Sequence, residues 1–262
     1  MAWPLRGSRV APDQVSAASM ICGVAAGFLF WRATPAAALA AGVLCFAGNV
    51  LDCADGQLAR LKGSASPVGY LVDGAADYIG TIAVFVGMAH SLNLRRPAAV
   101  NWWWLVIAAG ASMAWQCAFL DEKRRAWLDR VYRRSRDPRE ELEAMTRQAE
   151  EWRLQGTHRG ARALIAAYRW YRRAWTPVTR PDAEARVREE ADPGRWAACH
   201  RPVLRRSVWT GPTMHVTAIL ICAGLLDRPD LYLWGAVGAG NLWMLATLAA
   251  ERRALRCAAT SP

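Results

Sequence analysis

The sequence predicts an all-α polytopic membrane protein with six transmembrane helices and a helical cytoplasmic insertion. Three observations predict it. Hydrophobic residues make up 53% of the 262 and charged residues 21%, yet the two classes are segregated into apolar blocks and one very basic block. Six of the apolar blocks have about the length, roughly 17–25 residues, that a helix needs to cross a bilayer. Four aspartates, Asp52, Asp55, Asp73 and Asp77, stand at set spacings between and inside two of those blocks. Acidic side chains at membrane depth are costly and read as functional by default.

The first helix is expected over 15–31 and the second over 36–50. The second is short unless it continues through the aspartates. The third is expected over 68–92, the fourth over 98–120, the fifth over 210–226 and the sixth over 231–250. Trp31, Trp102, Trp103, Trp104, Trp209 and Trp234 fall near these ends, where interfacial tryptophans collect. Gly42, Gly48, Gly74, Ala75, Ala76 and Gly80 crowd the second and third helices and would let backbones approach closely.

Six spans put both termini on one side. With the N-terminus inside, 29 of the 33 basic residues are inside, and Arg32, Arg95, Arg96 and Arg228 are outside. Short segments alone give seven against four, the same orientation by the positive-inside rule. The aspartates then face the cytoplasm, where nucleotides and magnesium are available, and the protein sits in the membrane of a bacterial or archaeal cell. The net charge of +11 reads as this cytoplasmic face and not as nucleic-acid binding.

The expected organisation is a six-helix membrane domain made of 1–120 and 207–262, interrupted by a polar block, 121–206. That block holds 22 basic and 14 acidic residues, a charge of +8. Asp137 and Pro138 look like the N-cap and first residue of a helix, and Leu142, Met145, Ala149 and Trp152 follow on one face. A second helix carries Leu164, Ile165, Tyr168 and Trp175, with Arg162, Arg169, Arg172 and Arg173 around it. Two readings stand side by side: a helix lying on the membrane surface, or a hairpin packed on the membrane domain. Residues 182–193 look like a polar linker or short helix. The seven cysteines form no C-x2-C pair and read as small core hydrophobes, against a zinc site or a disulfide framework.

Asp52 and Asp55, three apart, project from nearly the same helical face, as do Asp73 and Asp77, four apart. Two such faces meeting would gather four carboxylates whose repulsion divalent cations relieve. Magnesium favours a few carboxylates, waters and substrate phosphates, and two metals can clamp a phosphate in transfer. The neighbours suit that ligand. Gly56 and Ala59 allow close approach, Arg60 can pair with phosphate in a bidentate way, and Gly69 removes bulk one turn before Asp73.

The full pattern, D-x2-D-G-x2-A-R-x8-G-x3-D-x3-D, resembles the signature of the CDP-alcohol phosphatidyltransferase family at all eight fixed positions. Pro12-Asp13-Gln14-Val15-Ser16 is similar to that family's Pro-Asn-x-x-Thr/Ser lead into the first helix, with Asp13 where Asn is common. The resemblance implies a CDP-linked donor at the cytoplasmic membrane edge and an acceptor alcohol whose hydroxyl attacks the β-phosphorus, releasing CMP. It implies that Asp52, Asp55, Asp73 and Asp77 hold two Mg²⁺ or Mn²⁺ ions, and that Asp77 also takes the acceptor's proton. Gly56, Ala59, Arg60 and Gly69 would contact the cytidine and pyrophosphate. It further implies membrane lipids as partners and a homodimer.

Intramembrane carboxylates alone would also suit a divalent-cation transporter, but the Gly-Ala-Arg spacing speaks against it. A prenyl-chain enzyme would show Asp-Asp-x-x-Asp, which is absent. A non-catalytic scaffold would recruit anionic partners through 121–206. The signature reads the donor and leaves the acceptor open. Arg124, Arg125, Arg205 and Arg206, at the inner ends of the fourth and fifth helices, could serve an acceptor that carries phosphate. Among other polar residues, His215 is expected to be packed, and Tyr70, Tyr78 and Gln116 could line the pocket.

Overall fold

A computed structural model describes residues 11–63, 67–96, 101–132, 138–175 and 192–259; within these, the side chains of 13, 67–73, 138–141, 171–175 and 259 are not described. Every described regular element is helical. In chain order they are α1 (Pro12–Trp31), α2 (Pro35–Lys62), α3 (Pro67–Arg95), α4 (Trp102–Tyr132), α5 (Pro138–Leu154), α6 (Arg159–Trp175), α7 (Pro193–Ser207), α8 (Pro212–Ile219), α9 (Pro229–Gly235) and α10 (Asn241–Ala259). A 3₁₀ turn at Val208–Thr210 joins α7 to α8, and π-helical turns at Leu220–Leu225 and Ala236–Gly240 follow α8 and α9. Among the described residues, six helical stretches are long and apolar enough to span a membrane. This is an all-α integral membrane protein.

Proline at the first helical position opens most of these helices, since its missing N–H would have no intrahelical partner there. α2 shows how the sequence fixes both ends. Thr34 Oγ1 accepts from the Ala37 N–H at 3.3 Å, Pro35 follows, and Gly63 closes the helix at φ +66°. That left-handed conformation costs glycine nothing. Between these stops α2 runs unbroken through 28 residues. The expected stop near Val50 does not occur, because Asp52 and Asp55 are good enough helix residues once a neighbouring helix packs on the same face. The expected fifth and sixth spans belong to continuous helical stretches, Pro193–Leu225 and Pro229–Ala258, each containing a π-helical turn.

The core joins α1, α2, α3, α4, α8 and α9 through Ala26, Phe30, Ala41, Met88, Leu92, Ala109, Ile219 and Leu233. Ile21, Phe28, Ile82, Ile107, Leu242 and Leu245 point outward and are exposed, as side chains facing lipid must be. Trp102 departs from the expected interfacial set. It is buried, and its indole N–H donates to the Arg96 carbonyl at 2.8 Å.

Small residues set the closest helix contacts. A Cβ on Gly42 would stand 3.1 Å from the Leu220 Cα, and one on Gly48 would stand 3.3 Å from the Cys22 Cβ. Gly80 lies 3.3 Å, by the same measure, from the Gly23 Cα. Gly74 does not belong to this set: nothing lies within 4 Å of its added Cβ. Its lack of a side chain leaves open space beside the Asp73–Asp77 turn.

Polar contacts fasten both ends of the bundle. At one end Arg95 grips Asp227 with both guanidinium nitrogens, and Arg96 and Arg228 both meet Asp230. Hydrogen bonding from Arg95 holds the Asp227 carboxyl below the usual carboxylate range. Toward the other end, the buried Lys123 of α4 pairs with Glu251 of α10 at 2.6 Å and lies over the Phe119 ring. There Trp196 of α7 packs with Ala126, Trp127, Val131 and Ala258.

Two cysteines depart from the expected core role. Cys199 of α7 and Cys257 of α10 form a disulfide across 58 residues of sequence, with Cα atoms 6.3 Å apart. No spacing motif announces such a pair, because it is made by two helices lying side by side. Cys53 is exposed, whereas Cys45 is buried.

In the inserted block, α5 and α6 form a hairpin. Met145 and Ile165 are buried between them, with Ala149, Trp152, Ala161 and Tyr168 packed alongside. Both helices also lie against α3. The apolar face of α5 is therefore spent within the hairpin. Asp137 and the 182–191 stretch lie outside the described residues.

Candidate active site

The aspartates occupy two helices. Asp52, Asp55, Gly56 and Ala59 share one face of α2, while Asp73 and Asp77 are one turn apart on α3, with Gly69 a turn earlier. The side chain of Asp73 is outside the described set. Asp55 is 2% exposed, Asp52 is half-buried and Asp77 is exposed. The charges of Asp52, Asp55 and Asp77 all act on the Cys53 thiol, and so does that of Arg124 from α4. Asp77 of α3 and Arg124 of α4 are thus within electrostatic reach of Cys53 on α2, the helix of Asp52 and Asp55.

Burial of Asp55 follows from its place on α2. Leu51 and Leu58 flank it at helical spacing and pack with Val15 of α1, so Asp55 faces α1. Ser16, one residue beyond Val15, donates its hydroxyl to Asp55 Oδ2 at 2.7 Å. One turn further along α1, Ser19 donates to the Gly48 carbonyl at 3.0 Å. Two hydroxyls thus tie α1 to α2 behind the aspartates. Sequence reading reaches Ser16 only as part of a motif. Its partner lies 39 residues away and has no local signal.

A hydrogen bond to a charged group contributes about 1.5–3 kcal/mol. Ser16→Ala is therefore expected to lower turnover by about tenfold or more and to raise the divalent-cation concentration needed for half-maximal rate. An unchanged rate at every cation concentration would remove Ser16 from the site.

Gly56 is not packed against another helix. The nearest groups to a Cβ placed there are the Arg60 guanidinium nitrogens, at 3.8 and 3.9 Å. Arg60 thus folds back over the glycine one turn earlier and leaves room beside a cationic fork. On the far side of Asp52, Asn49 lies 3.5 Å from Thr213 at the start of α8. Arg205 and Arg206 are exposed on α7.

Other polar residues are engaged elsewhere. His215 is buried, with Nδ1 3.3 Å from the Tyr232 hydroxyl. Gln116 is buried and donates to the Ala236 carbonyl and to Asn241 Oδ1, both at 2.9 Å. It fills the π turn and does not line the aspartate face. Tyr78 is 62% exposed, and the side chain of Tyr70 is not described.

Among the described residues, no three His, Cys, Asp or Glu side chains stand as a ready metal cage. The four aspartates of the pattern are carboxylates, hard oxygen ligands of the kind Mg²⁺ and Mn²⁺ take when substrate phosphates complete the shell. In kind, the donor set fits such an ion.

The family model described as CDP-alcohol phosphatidyltransferase matches residues 9–129, which include the whole aspartate pattern. Over these residues the chain is similar to the CDP-alcohol phosphatidyltransferase family. No curated protein matches the chain. The family comprises phosphotransferases of phospholipid synthesis, generally dependent on a divalent metal. The match, together with six apolar helices, supports a membrane protein of the phosphotransferase class, whose members use a CDP-alcohol donor and an alcohol acceptor. The match spans α1 to α3 and most of α4.

Proposed function

We propose that the protein moves a phosphoalcohol or phosphatidyl group from a CDP-linked donor to an acceptor hydroxyl and releases CMP. The acceptor oxygen bonds to the donor's β-phosphorus, the bond from that phosphorus to the bridging oxygen breaks, and CMP leaves with the bridging oxygen. The acceptor's proton passes to Asp77, whose exposure on α3 suits a group that must meet an incoming alcohol. Asp52, Asp55, Asp73 and Asp77 would hold two Mg²⁺ or Mn²⁺ ions. When bound, such ions stabilise charge on the entering and leaving oxygens. Gly56, Ala59, Arg60 and Gly69 receive the cytidine and pyrophosphate.

The eight-position pattern inside the matched residues carries this reading. The unpacked face at Gly56 under the Arg60 fork supports it. The basic asymmetry of the loops favours a cytoplasmic site, with both termini and the 121–206 insertion on that side of a membrane domain made of 1–120 and 207–262. Two copies pair as a homodimer.

The test uses purified protein with CDP-diacylglycerol or CDP-aminoalcohol donors and a panel of alcohols, including polyols with and without phosphate. CMP and product lipid are measured by mass spectrometry. The two products are expected in equal amounts with one donor–acceptor pair, and both should vanish when a chelator removes divalent ions. Absence of CMP with every pair in the presence of Mg²⁺ and Mn²⁺ would overturn the reading.

A further inference from the structure

Helix α6 is apolar on two opposite faces. One packs into the hairpin core through Ala161, Ile165 and Tyr168. The other presents Ala163, Ala166, Ala167 and Trp170, all exposed, at the i, i+3, i+4, i+7 spacing of a single stripe. Trp170 is 74% exposed. A helix with a partner on one side needs a polar outer face to be at ease in water, and this one has a tryptophan there. Arg159 extends the stripe one turn toward the N-terminus, Arg162 borders it on one side, Arg169 lies on that same side toward α5, and α6 holds five arginines and no acidic residue in 17 positions.

Charge and placement together select the occupant. The hairpin follows α4 and lies against α3, a spanning helix. Alternation of the spans puts the end of α4 on the same side as the α2–α3 turn, so the hairpin sits at the bilayer surface on the aspartate side. Juxtamembrane arginines are attracted to an anionic leaflet by about 1 kcal/mol each, and tryptophan settles at the headgroup level. A helix with arginines at the end and along one side of an apolar stripe matches such a surface in charge and in depth. We propose that the Ala163–Ala166–Ala167–Trp170 face of α6 docks on the anionic lipid headgroups beside the membrane domain. The hairpin is then held from two sides, by α3 and by lipid. Lipid charge thereby sets the order of an element that touches the aspartate-bearing helix.

The experiment reconstitutes the full-length protein into nanodiscs of phosphatidylcholine alone, or of phosphatidylcholine with phosphatidylglycerol, and follows amide hydrogen exchange over 159–170. Exchange is expected to slow by about tenfold or more in the anionic discs and to recover at high salt, which screens the attraction. Arg162→Glu with Arg169→Glu should remove the difference between disc types, and Trp170→Glu should reduce it. Both variants alter exposed or half-exposed positions, so the Met145–Ile165 core is left intact. Equal exchange in the two disc types overturns the proposal, as does a difference that survives both variants. Protection that follows the number of copies per disc instead of lipid charge also overturns it and makes this face a contact between copies.

Discussion

Asp77→Asn is expected to reduce CMP release by about a hundredfold to ten-thousandfold, the range a positioned general base contributes. Asparagine keeps the size and one oxygen of the side chain and removes the group that accepts a proton. Asp77 is exposed on the aspartate-bearing turn of α3, so the substitution costs little packing. Activity should therefore fall without a matching fall in thermal midpoint. Asp52→Asn gives the contrast. If Asp52 serves only as a ligand, excess Mn²⁺ should restore part of its lost rate, whereas excess Mn²⁺ should not restore Asp77→Asn. Steady-state kinetics over a range of cation concentration separate the two. A fully active Asp77→Asn, or one rescued by cation alone, sinks the proton-acceptor role.

That contrast rests on a pattern legible in sequence, because spacing on a helix decides which residues share a face. Asp52, Asp55, Gly56 and Ala59 could be assigned to one face before any coordinates, and the structure has them on the unbroken α2. Contacts between helices were legible only where composition was extreme. Gly80 stood out among small residues, but its partner Gly23 on α1 did not, nor did Gly27, which meets Ala83 and Gly87. The signal was present as Gly-x3-Gly, the spacing for close approach of membrane helices. Ser16 was visible as a motif position and invisible as the partner of Asp55, since nothing in 39 intervening residues encodes the meeting. The Cys199–Cys257 pair was missed for the same reason. The hairpin was legible in its α5 face. The second apolar face of α6 was not, because alanine reads as a neutral helix former until its exposure is known.

Gly27→Leu is expected to be the most damaging single change outside the aspartates. A Cβ on Gly27 would lie 2.4 Å from the carbonyl carbon and oxygen of Ala83, and one on Gly87 would lie 2.1 Å from the Gly27 oxygen. Four residues earlier, a Cβ on Gly23 would stand 2.7 Å from the Gly80 Cα. The obstacles are backbone atoms, so no rotamer change relieves the clash and α1 must part from α3. Overpacking a core typically costs about 1–3 kcal/mol, and a leucine against rigid backbone belongs at the upper end or beyond. The consequence reaches the site because α1 and α3 hold opposite sides of it. Ser16 of α1 grips Asp55, and α3 carries Asp73 and Asp77. Separating these helices moves the two carboxylate pairs apart. Gly27→Leu should therefore lose most CMP release and lower the thermal midpoint in detergent together, unlike Asp77→Asn. Gly235→Ala is the control, since nothing lies within 4 Å of its added Cβ and alanine favours the helix. Wild-type activity and midpoint in Gly27→Leu would show that the α1–α3 contact does not position the aspartates.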